Sequence, residues 1–529
     1  VALRQVGLPL LGIDDAHIFL VYGKNLTSGA GLVYNQGGER VEGFSSLLWL
    51  LVIALGYLAF PSPEKYLLIV SVLLVSGAIA MLALRIDGRK AFSPAGLVLI
   101  AWVVSSPAYV TWVSLPLMDT ALWSALVVLG AVFALVGPPF GLAIIASLMV
   151  LARPEGMLWA PVLIAIAALP LWVEKGPWAA LRAYWPAALA YLLTLAALTA
   201  WRLLYFGYPL PNTYYVKMSP DIPYNLGQGL TYLLAFLYMN PVVLLGLIPA
   251  IVALLINGRW FLSAIVRPGS ASGADPRLRY VAISLIVLLA LLVPVYMGGD
   301  HFGNFRFYQP AWPLLILPAL ALLQVLKIQA PRPLGYLAAL FVILAIFLLP
   351  RTNWFNQAYR SSLIHEITLA RQGQAVARTM NQLFAGEFPS VGVVRAGAVA
   401  LEYDGEVIDL MGLNNTTMAH APGDRKGVKN HAAFNSEVFF AQRPQIMLPA
   451  KIQGSTAKAI QEKLAWDNAV LKGLLLDPRF TAQYQLVEIS DGRTGILAYA
   501  DLDRLSHLIA RGLEVEFMTD VTLQDQQGS

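Results

Sequence analysis

The chain reads as a polytopic α-helical membrane protein of roughly 10 to 12 spans followed by one soluble α/β domain, and three observations predict this fold class. Hydrophobic residues fill 58% of the 529 positions and charged ones only 13%, against about 25% charged in an ordinary soluble domain. Apolar runs near the bilayer-crossing length of ~20 residues recur from Phe44 to Pro350, separated by short loops rich in Gly, Pro, Arg and Trp. Beyond Pro350 the sequence turns to the mixed polar and apolar character of a soluble domain.

Taken in order, the apolar runs predict spans at 44–60, 66–84, 92–112, 119–136, 139–152, 157–173, 183–204, 229–256, 279–297, 311–326 and 334–350. Val1–Leu11 lacks the charged start and full apolar stretch of a secretory signal. Val6–Ile13 looks like the tail of an apolar segment, so a further transmembrane helix is expected upstream. After the last span, polar helical stretches (Ser361–Phe384, Thr456–Leu474) and strand-like runs (Ser390–Val394, Glu406–Leu410, Gln485–Ile489, Gly495–Tyr499) predict an α/β domain over 351–529. Residues 1–350 are then the membrane domain, with a first extracytoplasmic loop at 14–43.

The net charge of +5 comes from Lys and Arg residues in short loops between apolar runs, not from one basic stripe. That is the positive-inside pattern and argues against a nucleic-acid partner. Without cysteine there is neither a disulfide framework nor a thiolate metal site. Walker, Rossmann and Gly-x-Ser-x-Gly patterns are absent, which argues against nucleotide-sugar, dinucleotide and serine-hydrolase chemistry.

The most basic loop, Asn257–Arg279, predicts the cytoplasmic face. Alternation then places 206–226, 297–310, Asp119, 153–156 and the soluble domain outside, with Arg85, Arg89 and Lys90 inside. Three apolar runs separate Asp119 from the loop 14–43, and three full crossings would set the two on opposite faces. One run is therefore expected to be interfacial or re-entrant, with 44–60 the candidate through its Gly56 and its Pro61–Pro63 exit.

Polar residues at the outer ends of the spans are the candidates for chemistry. Asp14 and Asp15 close an apolar stretch, where partial desolvation raises a carboxyl toward the range of a general base, although Asp also caps helices. The Gly-rich stretch Gly29–Gly43 carries Asn35, Glu39, Arg40 and Glu42 and is too long for a simple connection. In Pro209–Lys217, Asn212, Tyr215 and Lys217 suit a lipid phosphate and its sugar, or else an aromatic belt with a snorkelling Lys.

In Gly298–Arg306, which holds Asp300, His301 and Arg306, the glycines permit close backbone approach; Asp300 suits sugar hydroxyls and Arg306 or Lys217 a departing phosphate, unless Asp300 and Arg306 form a structural ion pair. Arg153-Pro-Glu-Gly156 reads as an internal ion pair at a hairpin turn. Asp14, Asp15, His17, Asp300 and His301 are competent ligands for a divalent cation, without diagnostic spacing.

The stretch Asp14-Asp15-Ala-His-Ile-Phe, through Lys24-Asn25-Leu, Gly29, Gly31-Leu-Val-Tyr-Asn35, Gly38-Glu-Arg-Val-Glu-Gly43 and Trp49, resembles the first extracytoplasmic loop of the GT-C membrane glycosyltransferases related to bacterial arabinofuranosyltransferases. Those include the mycobacterial terminal arabinofuranosyltransferase and pilin-modifying relatives. The resemblance continues at Met118–Trp123, Arg153–Gly156, Pro211–Lys217, Gly298–Arg306 and Val407–Leu413. Asp119 stands where relatives usually carry Glu, and Leu47-Leu48 where they often carry Pro.

The resemblance implies a GT-C-like fold that moves a sugar, typically arabinofuranose, from a polyprenyl-phosphate carrier to a glycan or protein acceptor at the outer face of the bacterial inner membrane. Asp14 or Asp15, with preference for Asp14, is the expected base of an inverting displacement. Glu42, Asp119, Asn212, Tyr215, Lys217, Asp300, His301 and Arg306 are the expected donor and substrate contacts, and Asp14, Asp119, Lys217, Asp300 and Arg306 are expected to line one cavity beneath the soluble domain. No cofactor is obligatory, since Arg or Lys suffices for a monophosphate leaving group, and a divalent cation remains admissible. The alternatives are transfer of a lipid-linked hexose or aminopentose and, in another class, lipid or glycolipid transport.

Overall fold

The computed structural model describes residues 10–86, 93–326, 332–348, 362–449 and 457–518. The start of the Val6–Ile13 segment, Arg89, Lys90 and the junction at 350 lie outside them.

The chain is mostly helical before residue 350, and among the described residues five helices are long and apolar enough to cross a membrane, or six if one bent pair counts as a span: Glu64–Arg85, Gly156–Lys175, Pro177–Tyr205, Pro241–Val266 and Pro276–Tyr296. Shorter apolar helices cover Leu47–Ala59, Thr120–Val136, Pro139–Ala152 and Gln309–Leu323. Two expected spans are interrupted. The run 92–112 is two helices, Pro94–Val104 and Pro107–Ser114, bent by 70°. Each begins with Ser-Pro-Ala: the Ser93 and Ser106 hydroxyls accept from the Gly96 and Tyr109 amides, and proline takes the first helical position, where no amide partner is needed. Trp102 and Trp312 stack beside the break at 4.7 Å and exchange indole N–H to carbonyl bonds of 2.8 and 3.1 Å. The run 229–256 is likewise divided at Asn240-Pro241, into Ile222–Met239 and Leu244–Val266.

The ends of these helices resolve the crossing conflict. Gly43 and Met118 line the same cavity, whereas Arg85, between them in sequence, shares a pocket with Arg279. Arg279 is in the first turn of Pro276–Tyr296, and the cavity residues Met297 and Gly299 follow its other end, about 30 Å away at 1.5 Å per residue. Residues 44–117 thus go to the far end and return, along 64–86 and then the bent pair. Helix Leu47–Ala59, with 13 residues, stays at the cavity end, where Tyr57 and Glu64 both feel the charge of Glu402 in the C-terminal domain.

The C-terminal domain is built on a six-stranded mixed sheet of order β2-β1-β3-β5-β4-β6. Its strands are β1 (Val391–Val393), β2 (Val407–Asp409), β3 (Ile446–Met447), β4 (Tyr484–Ser490), β5 (Gly495–Asp501) and β6 (Glu514–Phe517). β1 runs parallel to β2 and β3, and the other pairs are antiparallel. Helices Ser362–Leu383 and Ala457–Val470 flank it, close to the bounds expected from sequence. The two shortest or most exposed strands, β3 and β6, carry no alternation long enough to read.

This domain docks on the first loop of the membrane half. Asp14 accepts the Gly397 amide at 3.0 Å and the Ala398 amide at 2.8 Å, capping helix Ala398–Glu402 with a carboxylate. The Tyr34 hydroxyl donates to the Ala396 carbonyl. Asn35 pairs both its amide groups with the Val407 backbone (2.9 and 3.0 Å), and Glu39 accepts from Thr416 (3.0 Å). Gly397 must lack a side chain here, because a Cβ would stand 1.8 Å from the Asp14 carbonyl oxygen. Gly397→Ala is expected to push the two parts apart and cost about 1–3 kcal/mol; a lowered thermal midpoint of the detergent-solubilised protein, with faster amide exchange over 396–402, checks this.

Candidate functional site

At the docked end of the helices is an open cavity of about 810 Å³ empty volume. Asp15 enters it from the first turn of helix Asp14–Thr27, Lys217 from the end of helix Asn212–Lys217, and Arg306 from the turn after 303–305. The Asp15 carboxylate is 3.9 Å from both Lys217 Nζ and Arg306 Nη1. Arg153 and Glu155 also line the cavity, with Phe19, Met118, Tyr214, Met218 and Met297 among its apolar walls.

Each arginine is held from behind by acids. Arg306 Nε donates to Asp300 Oδ2 at 2.6 Å, and its guanidinium lies 4.3 Å from the Phe302 ring centre. Arg153 donates to Asp119 at 2.8 Å and forks onto both oxygens of Glu155. Among the described residues Lys217 pairs only with Asp15, and that at 3.9 Å. Burial alone would push the Asp300 carboxyl up, but the Arg306 charge outweighs it and holds Asp300 well below the ordinary carboxylate range.

The structure brings Asp15, Lys217 and Arg306 to the cavity, places Asp300 behind Arg306 and outside the lining, and separates the other expected site residues. Asp14 uses both oxygens on the domain amides and does not line the cavity. Glu42 is buried and paired with Arg202 at 2.8 Å, and it does not line the cavity. Asn212 donates its side-chain amide to the carbonyls of Gly412 and Leu413, tethering the C-terminal domain. Tyr215 packs at 4.4 Å on His420, which stacks at 3.8 Å on Tyr208; its neighbour Tyr214 faces the cavity instead. Asp119 stands behind Arg153, with its Oδ1 buried and unpartnered. His301 sits outside the cavity lining, its Nδ1 accepting from Asn430 at 2.8 Å.

The five-residue cation site is not assembled. His17 is fully buried, donating from Nδ1 to the Ile13 carbonyl and accepting at Nε2 from Gln374. Among the described residues no group of three or more His, Cys, Asp or Glu is placed to hold a metal ion.

Two contributions were not foreseen. Arg153 and Glu155 form the ion pair that the sequence suggested, but its guanidinium faces the cavity. Asn430 and Leu413 of the C-terminal domain complete the wall. Asn430 donates to Asp300 Oδ1 at 2.8 Å, Ser219 donates to the Asp424 carbonyl at 2.6 Å, and Lys426 pairs with Asp221 at 2.7 Å. The segment 424–430 is thereby strapped across the membrane half. Leu413 is placed by Asp409, which accepts from the Met411, Gly412 and Asn414 amides; burial raises its carboxyl to about 6 against the pull of those bonds.

Residues 362–505 match a family model described as a domain of unknown function (DUF8728), which covers most of the C-terminal α/β domain. No curated protein and no solved structure matches the chain.

On helix Ser362–Leu383, burial raises the Glu366 carboxyl to about 7, with Arg395 and His301 opposing and Asp15 and Asp14 adding to the rise. A folded-state value above the unfolded one means stability that is full below about 4.5 and is lost as pH rises through 7. Glu366→Gln is expected to remove at most about 3 kcal/mol of pH dependence in that window. Denaturation midpoints measured from pH 5 to 8 check this: the wild type should weaken across the range more than the variant.

Proposed function

We propose that this protein is a membrane-embedded glycosyltransferase of GT-C type, which moves a sugar from a polyprenyl-phosphate donor to a cell-envelope glycan or protein. Arabinofuranose is the sugar that the sequence resemblance favours. The observation that carries the reading is the placement of one carboxylate, Asp15, 3.9 Å from each of two cations in a cavity with apolar walls. A base, a site for phosphate charge and room for a lipid tail occur together.

In this reaction Asp15 accepts the proton of an acceptor hydroxyl as its oxygen forms a bond to the anomeric carbon from the face opposite the phosphate. The bond from that carbon to the phosphate oxygen breaks, and polyprenyl phosphate leaves with the electron pair. Lys217, Arg306 and Arg153 meet the charge on the departing oxygen, in a site where low dielectric makes such contacts strong. Asp300, Asp119 and Glu155 keep the two arginines in place, so little reorganisation is needed during transfer. A divalent cation is not required by this scheme.

The base is therefore Asp15, with Asp14 as the support of the domain. The shorter apolar helices other than Leu47–Ala59 are additional passes of a multi-span protein in the bacterial inner membrane. Arg85 and Arg279 mark the cytoplasmic end, and the cavity with its C-terminal domain faces outward.

Asp15→Asn keeps shape and removes proton acceptance, so turnover with a synthetic lipid-phosphate arabinose should fall by roughly a hundredfold or more, with donor affinity little changed. Asp14→Asn should instead loosen the domain and leave turnover per folded molecule within a few fold. Near-normal turnover in Asp15→Asn would remove the base from this position. Lys217→Gln is expected to weaken donor binding by about tenfold, the loss of one charge-assisted phosphate contact; titration with the lipid phosphate alone measures it.

A further inference from the structure

Asn430 reaches the cavity wall from the C-terminal domain and is the one side-chain amide among the described residues that line it. Its backbone is left-handed, with a φ of 63°, a conformation that asparagine adopts more readily than most side chains. The amide nitrogen is committed: Nδ2 donates to Asp300 Oδ1 and to His301 Nδ1, both at 2.8 Å. Each of these acceptors is itself fixed. Asp300 Oδ1 also takes the His301 backbone amide at 3.0 Å, and its other oxygen holds Arg306 at 2.6 Å. The His301 ring packs 4.1 Å from Phe302 and 5.0 Å from His431.

These contacts decide which way round the amide stands. Turned over, it would set its oxygen 2.8 Å from the Asp300 carboxylate, two acceptors with no proton between them. The Arg306 charge keeps Asp300 ionised, so that carboxyl does not supply the proton. The amide is therefore held in one orientation, with its nitrogen turned toward Asp300 and His301, neither of which lines the cavity. The carbonyl oxygen is on the other arm of the same planar group and takes no hydrogen bond among the described residues. An acceptor that is oriented and left unused at a cavity wall is prepared for a ligand. The carboxylates on this wall are already engaged: Asp15 stands between Lys217 and Arg306, and Glu155 holds Arg153. A neutral carbonyl accepts a hydroxyl proton without adding a negative charge beside a phosphate.

We infer that Asn430 is a specificity-determining residue whose Oδ1 accepts a hydrogen bond from a hydroxyl of the substrate's sugar. The C-terminal domain then contributes to binding as well as to covering the site. The inference deepens the transferase reading and rests on it for the choice of sugar.

The purified full chain is titrated with synthetic lipid-phosphate arabinose, with each of its mono-deoxy forms and with the lipid phosphate alone. On the wild type one deoxy form should bind roughly tenfold more weakly than the parent sugar, the loss of one hydrogen bond to a pre-oriented group. Asn430→Gly removes the side chain and keeps the left-handed backbone. It should bind that deoxy form and the parent equally, with affinity for the lipid phosphate unchanged. The strap stays tied in this variant through Ser219 to the Asp424 carbonyl and Lys426 to Asp221. Lys426→Gln, which cuts one of those ties and leaves the amide in place, should keep the wild-type discrimination. A purely structural role, holding Asp300 behind Arg306, would instead weaken lipid-phosphate binding in Asn430→Gly and leave the deoxy penalty intact, and that result overturns the proposal. So does a wild type that binds the parent and every deoxy form alike, or none of them. Transfer is a separate readout: discrimination without turnover sinks the transferase reading and keeps this assignment, and turnover without discrimination does the reverse.

Discussion

A single carboxylate, that of Asp14, receives the two leading amides of a helix in the C-terminal domain, and the geometry of the cavity follows from that contact. It sets the domain over the first turn of helix Asp14–Thr27. The next residue, Asp15, is turned by about 100° around the same helix and so faces the opening. The neighbouring tethers from Asn35, Glu39 and Asn212 fix the rotation of the domain and bring Leu413 and Asn430 to the rim. The Gly-rich loop is ordered because it binds the protein's own domain.

The cavity combines cations in a way that low-dielectric surroundings demand. A buried guanidinium without a partner is costly, so Arg306 and Arg153 are each backed by acids that are themselves almost fully buried. This leaves their outer donors turned toward the opening. Lys217, on a flexible stem and a quarter exposed, has no such backing among the described residues and is the least constrained of the three cations.

Much of this was legible in sequence, for reasons that differ by element. The long apolar helices and the strands β1, β2, β4 and β5 announce themselves by run length and alternation. The break at 105–106 was also written there, as a second Ser-Pro-Ala start inside one apolar run, but hydropathy alone reads across it. The roles of Asp14 and Asp15 were not legible, because adjacent identical side chains are separated only by a surface more than 380 residues later in the chain. Glu42 and Asn212 have the right chemistry for a ligand, and their use on Arg202 and on the 412–413 carbonyls depends on tertiary packing. Arg153 was seen as an ion pair, which it is; that an ion-paired guanidinium can still present donors to a cavity requires coordinates.

The latch between Asp300 and Asn430 joins residues 130 positions apart in sequence. During synthesis the membrane helices therefore precede the amides that Asp14 accepts and one of the donors to Asp300. A chain cut short before the sheet lacks Leu413 and Asn430 and so cannot present the completed cavity wall.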